Sequence, residues 1–199
     1  MSKRRWILAA AAAVAVLAAA ALRGPAHARP APATWNGDTV HSFVLFKIKH
    51  LGVSFAHGRF SDFSVSAQAG EGGADLSGVS FTVRTESVDT GNAKRDQHLK
   101  SPDFLNVKQF GEMSFKSTAV KALDKDTSEV TGDLTLHGVT KPLTVKVARV
   151  GSGKGMKGEE LAGYETSFML KRSDFGMTNM VGPVGDEVYV EVAVEAAKQ

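Results

Sequence analysis

The histidines are the first side chains to examine for chemistry, because imidazole is a common general base and metal ligand. Five of them lie beyond residue 28: His41, His50, His57, His98 and His137. They are scattered rather than set at ligand spacing, and the chain has neither a His-Glu-x-x-His segment nor a Gly-x-Ser-x-Gly turn. The pattern therefore predicts no metal site and no catalytic residue, and we expect these histidines to be polar strand-end side chains.

One glycine-rich segment has a composition found in phosphate-binding loops. Residues 151–155 read Gly-Ser-Gly-Lys-Gly, but neither Ser nor Thr follows the lysine, and Ala148 stands where the first glycine would be. The segment is therefore predicted to be a turn between strands.

Two arginine–aspartate pairs lie beside apolar segments. Arg95 precedes Asp96 directly, and Arg172 is two residues from Asp174. Such pairs form structural salt bridges about as often as they contact a ligand, so both interpretations stay open. Neither pair forms a convincing acid–base couple.

The absence of cysteine excludes several classes of protein. A chain without cysteine has no disulfides, thiolate zinc sites, iron–sulfur clusters or thiol nucleophiles. Its 199 residues, of which 43% are hydrophobic, are typical of one globular domain rather than a disordered protein.

The first 28 residues are predicted to form a secretory signal peptide. Basic residues 3–5 precede 17 uncharged, mostly alanine residues (6–22), and Ala-His-Ala at 26–28 is a small-x-small cleavage site. The apolar run is weakly hydrophobic and shorter than a usual transmembrane helix. We therefore expect cleavage after Ala28 and no stable membrane anchor in the exported protein.

Cleavage also changes the meaning of the net charge. The full chain has a formal charge of +3, but residues 1–28 contain four basic residues and no acid, so the exported part has 20 basic and 21 acidic residues and a charge of −1. A near-neutral protein lacks the excess charge with which nucleic-acid-binding proteins contact phosphates. We therefore expect no nucleic-acid partner.

The elements that must position any site are strands. After a Pro/Ala-rich linker at residues 29–36, apolar and polar residues alternate with period 2, which indicates strands with one buried face. Eight segments show this pattern: residues 42–49, 59–67, 79–83, 113–120, 129–136, 143–147, 164–170 and 188–195. Turn signals such as residues 70–73 and 151–153 separate them. The pattern predicts an all-β, antiparallel barrel or sandwich, and the barrel is preferred because closure removes exposed strand edges.

A single segment is compatible with a helix. Residues 92–100 begin with Asn92, a suitable N-cap, and Pro102 follows as a stop. Arg95, His98 and Leu99 share one face of this helix. With the apolar Phe104-Leu105 that follows, it is predicted to cover one end of the barrel.

The barrel interior is predicted to be rich in phenylalanine. The chain contains eleven phenylalanines, and several fall at inward-facing strand positions. An eight-stranded barrel either fills its interior with side chains or holds one small ligand. The residues alone leave both outcomes open.

Short fragments spread over about 150 residues carry a resemblance to a known family. They include His50-Leu51-Gly52-Val53-Ser54, Ser87-Val88-Asp89-Thr90-Gly91, Arg95-Asp96-x-His98-Leu99, residues 132–142 and Arg172-x-Asp174-Phe175-Gly176. In this order, they resemble the YceI-like family of bacterial periplasmic proteins. The resemblance implies an extended antiparallel eight-stranded lipocalin-like barrel over residues 37–199, located in the periplasm.

The same resemblance implies a bound polyisoprenoid or similar long-chain amphiphile, of the isoprenoid quinone type, with no other cofactor. The ligand tail is expected against inward residues Phe46, Phe60, Phe81, Phe115, Leu134, Val145, Phe168 and Val188. The head group is expected near the helical cover, at His50, Arg95, Asp96, His98 and Arg172. Other readings stay open: a quinone-using electron-transfer accessory or enzyme, or a structural module with a cavity-free interior. The residues do not decide between a monomer and a homodimer.

Overall fold

The computed structural model describes residues 31–199, which form an all-β fold with one α-helix. The predicted signal peptide, residues 1–28, lies outside the described residues. The strands are β1 (Ala33–His50), β2 (Ser54–Phe60), β3 (Phe63–Ala69), β4 (Gly78–Arg84), β5 (Val88–Asp89), β6 (Glu112–Ala122), β7 (Thr127–Leu136), β8 (Val139–Lys154), β9 (Glu160–Lys171) and β10 (Val184–Lys198). The helix is α1 (Ala93–Lys100), and short 3₁₀ turns occur at Glu71–Gly73, Thr85–Ser87 and Arg172–Phe175. Within residues 31–199, no helix has the length and apolar character needed to cross a membrane.

The strands close into an antiparallel barrel with eight strand positions. β2 and β3 run one after the other along β1, and β5 and β4 pair with β2 and β3 in the same way, so each of these pairs occupies one position. The sheet continues from β4 through β6, β7, β8 and β9 to β10. β10 then pairs with β1 along nearly its whole length and closes the barrel. The predicted eight-stranded antiparallel barrel is confirmed.

Three predicted boundaries differ from the structure. The segment 59–67 is interrupted at residues 61–62, where β2 ends and β3 begins. The turn predicted at residues 151–153 is wrong, because these residues continue β8 and pair with β9, and the chain reverses at residues 155–158. The sequence does not show this extension of β8, because glycine and serine give no apolar–polar alternation. Their backbones nevertheless pair with β9. β1 begins at Ala33, inside the predicted linker, and Trp35 is fully buried.

A bulge in β1 changes which residues face inward. Asp38 pairs with Glu195 and Phe43 pairs with Ala193, so residues 39–42 stand opposite only Val194. The Ser42 hydroxyl fills the gap by accepting the Glu195 N–H at 3.0 Å. Because the inserted residues shift the alternation by one, inward residues have odd numbers before the bulge and even numbers after it.

Helix α1 covers one end of the barrel, as predicted. The Asn92 side chain accepts the Arg95 N–H at 3.1 Å, which confirms the predicted N-cap. The helix itself has no fully buried residue. Most of the cover comes from the segment after it, where Phe104 is 7% exposed and Leu105 packs on the core.

Candidate functional site: an apolar cavity inside the barrel

The inward faces of the strands enclose a cavity of about 260 Å³. Every barrel strand contributes to its wall, and the wall extends from Trp35 at one end to Arg172 at the other. The eight residues predicted to contact a ligand tail all lie in this wall: Phe46, Phe60, Phe81, Phe115, Leu134, Val145, Phe168 and Val188. The structure thus brings them together, and their contact with a ligand stays a prediction.

The cavity wall is almost entirely aliphatic and aromatic. Its chemistry follows from the alternation, since each strand turns one apolar face inward. Thr166 is an exception on β9, and its Oγ1 is buried without a hydrogen-bond partner among residues 31–199. A wall with so few polar groups binds by excluding water from an apolar ligand rather than by forming hydrogen bonds along it.

Two phenylalanine rings of the wall lie over glycines of the neighbouring strand. Phe46 on β1 pairs with Gly58 on β2, and a Cβ at Gly58 would overlap the Phe46 ring. Similarly, a Cβ at Gly132 would overlap the Phe115 ring and the backbone of Lys116. The absent side chains therefore allow both rings to lie close to the sheet.

The cavity end near Trp35 is closed by a buried tyrosine and a 3₁₀ turn. Tyr164 is 9% exposed, and its hydroxyl donates to the Gly73 carbonyl at 2.7 Å. Burial raises the pKa of Tyr164 to about 12. Trp35, which is fully buried, packs with Tyr164 and small alanines of β3, β9 and β10. This end is therefore filled by the protein's own side chains.

The opposite end is formed by the cover and by Arg172. Leu99, Phe104, Leu105 and Met177 line the cavity there. Arg172 comes directly after β9, continues the inward series of Phe168 and Leu170, and is only 3% exposed. Its guanidinium carbon lies 5.7 Å from the centre of the Phe104 ring.

The Arg172 guanidinium is held by backbone carbonyls. Nε donates to Gly185 at 2.9 Å, Nη1 donates to Met177 and Asn179 at 2.8 and 2.7 Å, and Nη2 donates to Val184 at 3.1 Å. These bonds tie the loop between β9 and β10 to the barrel and use four of the five guanidinium N–H donors. Burial lowers the pKa of Arg172, and the nearby Asp186 carboxylate opposes that effect.

The other four predicted head-group residues do not line the cavity. His50 lies exposed at the end of β1. Arg95 donates to the Thr90 hydroxyl and carbonyl at 2.7 and 2.8 Å, and Asp96 accepts from the N–H and hydroxyl of the same residue. His98 contacts Asp103 at 2.9 Å. Arg95, Asp96 and His98 therefore make local contacts around helix α1, while Arg172 reaches the cavity.

Several wall residues were not predicted from the sequence. Trp35 was missed because it precedes the β1 bulge, where the alternation changes phase, and because it lies in a Pro/Ala-rich segment. Tyr164 and Thr166 belong to the same inward series as Phe168, so continuing the period-2 pattern along β9 would have found them.

A separate polar cluster lies outside the cavity, beside the β1 bulge. The His41 Nδ1 is 2.6 Å from Asp38 Oδ2 and 3.7 Å from Glu195 Oε1. The hydrogen bond that His41 donates to Asp38, and the charge of Asp38, raise the pKa of His41, while the Val40 N–H and the His41 contact lower the pKa of Asp38. These three side chains are of metal-binding type and lie close together. However, they bond to one another on the surface, and we assign them to the shape of the bulge.

Comparison with known proteins identifies a matching family and sequence relatives of this chain. A family model for the YceI-like domain matches residues 35–196. A UPF0312 protein of Ectopseudomonas mendocina is 43% identical over 159 residues, which cover 80% of this chain and 83% of the relative.

Two solved structures extend the comparison. The Campylobacter jejuni YceI protein superimposes with a TM-score of 0.69 at 31% identity, covering 77% of this chain and 91% of that one. A polyisoprenoid-binding domain from Saccharophagus degradans, implicated in plant cell wall breakdown, superimposes with a TM-score of 0.63 at 15% identity. That match covers 84% of this chain and 99% of the domain, and at this identity it shows the shared fold.

Proposed function

The chain belongs to the YceI-like family, and from that premise we propose that it is an exported carrier that binds a polyisoprenoid or similar long-chain amphiphile inside its barrel. The observation that carries the proposal is the apolar cavity of about 260 Å³ inside the barrel, which every barrel strand helps to line. A structural module with a filled interior does not account for this space.

The energetics suit a long apolar ligand. Burying one methylene group stabilises a complex by roughly 0.8 kcal/mol, so a chain of many carbons has a large gross driving force. Ordering a flexible chain opposes binding and leaves a much smaller net affinity. The wall itself is preformed on a closed sheet, which reduces the cost of reorganising the protein. An isoprenoid chain, with regularly spaced methyl branches, matches the aromatic and branched side chains of the wall.

The ligand head group is assigned to the end of the cavity near Arg172. The opposite end is filled by Trp35 and Tyr164, whereas Arg172 keeps one N–H donor beyond its four backbone bonds. A single oriented donor fits a carbonyl, hydroxyl or phosphate oxygen at the end of the amphiphile. The polyisoprenoid binding stated for the Saccharophagus degradans domain, on the same fold, supports the proposed class of ligand.

Export completes the proposal. Residues 1–28 are assigned as a cleaved signal peptide, so the mature protein begins at Arg29 in the periplasm. Intact-mass measurement of protein from a periplasmic extract tests this step. A mass that still includes residues 1–28 would contradict it.

The ligand is tested by extracting protein purified from its native host and identifying the extracted lipid by mass spectrometry. We expect a stoichiometric isoprenoid lipid or quinone. The proposal fails if no lipid is found and an experimental structure shows the cavity filled by side chains.

A matched pair of variants locates the lipid. Val190 on β10 lines the cavity, and its neighbour Glu191 is exposed on the outer face. The substitution Val190→Trp is expected to reduce bound lipid at least tenfold, since the indole takes up space that the lipid needs. Glu191→Trp adds the same side chain outside the barrel and is expected to leave the lipid content unchanged. Equal lipid content in both variants would place the lipid elsewhere.

A further inference from the structure

Four exposed apolar side chains lie together at the end of the barrel near Arg172. Leu51 and Val53, in the turn between β1 and β2, are 61% and 83% exposed. Met180 and Val181, in the loop between β9 and β10, are 47% and 45% exposed. The two loops are joined by a hydrogen bond in which the Leu51 N–H donates to the Pro183 carbonyl at 2.7 Å. We call these four residues the apolar corner.

Two residues of the apolar corner have a backbone conformation that apolar residues rarely adopt. Leu51 has a φ of 51° and Met180 a φ of 54°, both in the left-handed region. Leu51 is followed by Gly52 with a φ of 74°, and the Val53 N–H donates to the His50 carbonyl, as in a tight hairpin turn. Such positions favour Asn, Asp or Gly. Here they hold long apolar side chains that pack on little of the chain, as expected if they contact an apolar partner outside it.

Aromatic and basic side chains come next along the outer face of the barrel. Phe55 and Tyr189 pack edge to face with ring centres 6.0 Å apart, and Lys47 Nζ lies 5.3 and 5.8 Å from these centres. The order from the tip is therefore aliphatic residues, then aromatic rings beside a lysine. The same order is found where proteins enter a membrane interface, with aromatic rings at the head-group level and lysines reaching phosphates.

The local charge favours an anionic surface. Lys47, Lys49 and Lys171 lie on the strands next to the corner, with Glu187 and Asp186 as the acidic neighbours on β10. Glu187 accepts from the Tyr189 hydroxyl, and Asp186 accepts from the N–H and hydroxyl of Ser173, so both acids are engaged within the protein. These hydrogen bonds do not neutralise the two carboxylates, so three lysines against two acids leave an excess of one positive charge beside the corner, although the exported part as a whole is near neutral.

The corner is continuous with the cavity. Met177 and Val184, which flank the loop of Met180 and Val181, both line the cavity wall, as does Ile48 near the end of β1. We propose that the apolar corner docks the protein on the surface of an anionic lipid bilayer, and that the cavity end beside Arg172 then faces the bilayer during lipid exchange.

Vesicle flotation tests the docking step directly. Protein purified from its native host is mixed with vesicles of phosphatidylethanolamine and phosphatidylglycerol, and in parallel with vesicles of phosphatidylcholine alone. We expect binding to the anionic vesicles that weakens as salt is raised, because the lysines contribute through a screened attraction.

The decisive variant is Leu51→Asn with Met180→Asn. Asparagine is favoured in the left-handed region, so this change removes apolar surface while suiting the backbone. Vesicle binding is expected to fall at least about tenfold. The control is Met156→Asn, since Met156 is fully exposed in the turn between β8 and β9 at the opposite end of the barrel. It is expected to bind vesicles like the unchanged protein.

Each outcome decides the proposal. Absence of vesicle binding by the unchanged protein overturns it, and so does an equal loss in the Met156 control. Sedimentation velocity on the same samples separates a second explanation: if the asparagine variant loses a dimer but keeps vesicle binding, the corner is an interface between two copies. Lipid content is measured alongside, so that failed docking with lipid still bound is distinguished from a barrel that carries no lipid.

Discussion

Substitution of Arg172 tests directly what stabilises the cavity end formed by the cover and by the loop between β9 and β10. We consider the substitution Arg172→Met, which keeps an unbranched apolar stem but removes the guanidinium. In the folded protein, it removes the guanidinium donor from four backbone carbonyls: Met177, Asn179, Val184 and Gly185. Of these, the Val184 carbonyl keeps the Gly182 N–H as a second donor. The side chain is 3% exposed, so water does not replace the guanidinium without movement of the loop.

The magnitude follows from these four bonds. A hydrogen bond to a charged group contributes about 1.5–3 kcal/mol, which sums to a gross loss of about 6–12 kcal/mol. The loop can open and expose some carbonyls to water, because residues 180–183 already lie on the surface. Each carbonyl that stays buried without a donor costs about 1–3 kcal/mol, so with partial opening of the loop we expect a net loss of about 3–5 kcal/mol.

Urea unfolding followed by circular dichroism measures this loss, and hydrogen exchange of the loop amides reports local opening. Arg172→Lys is the control, since it keeps the charge but cannot reach all four carbonyls, and an intermediate loss is expected. If Arg172→Met lowers the free energy of unfolding by less than about 1 kcal/mol and loop exchange is unchanged, the assigned role is wrong. Arg172 would then be replaceable by a well-packed apolar side chain.

Further predictions concern groups elsewhere in the barrel. Tyr164→Phe leaves the buried Gly73 carbonyl unpaired and should lower the free energy of unfolding by about 1–2 kcal/mol in urea. Because folding raises the pKa of Tyr164 from 10 to about 12, its contribution is complete below pH 10 and is lost as pH rises towards 12; a pH titration of stability should show this loss, and Tyr164→Phe should abolish it. Thr166→Val removes an unpaired buried hydroxyl and should raise the melting temperature, corresponding to about 1 kcal/mol. Asn92→Ala removes the cap of helix α1 and should destabilise it by about 1 kcal/mol, seen as faster amide exchange at Arg95, whereas unchanged exchange would contradict the cap.

The barrel could be predicted because each of its strands carries the same kind of signal. Alternation with period 2 marks all eight predicted segments, although residues 61–62 interrupt one of them, and closure buries one face of each strand. The same alternation placed Phe46, Phe168 and the other predicted tail residues in the cavity wall. The signal failed where the backbone changed phase, as at the β1 bulge before Phe43, and where small residues extended β8 through residues 151–153.

Of the five residues predicted near the head group, only Arg172 lines the cavity. The sequence shows where charged side chains occur but not which groups they will bond to in the fold. Arg95 and Asp96 stand beside apolar segments, but Thr90, a few residues away, satisfies both of them. Arg172 reaches the cavity because it continues the inward series of β9. Its four partners lie in the loop between β9 and β10 and at the start of β10. The path of this segment depends on tertiary packing, and no local sequence pattern predicts it.

The rings of Phe46 and Phe115 each lie over a glycine, and this packing limits how mutation can alter the width of the cavity during evolution. At Gly58 and Gly132, every other amino acid adds at least one carbon, and the first carbon already overlaps the ring. Mutation at either position must therefore displace a neighbour: the Phe46 ring at Gly58, and the Phe115 ring together with the Lys116 backbone at Gly132. Neither change adds space to the cavity. A descendant protein that needs to accept a thicker ligand must gain space elsewhere in the wall, because at these two positions the widest state has already been reached.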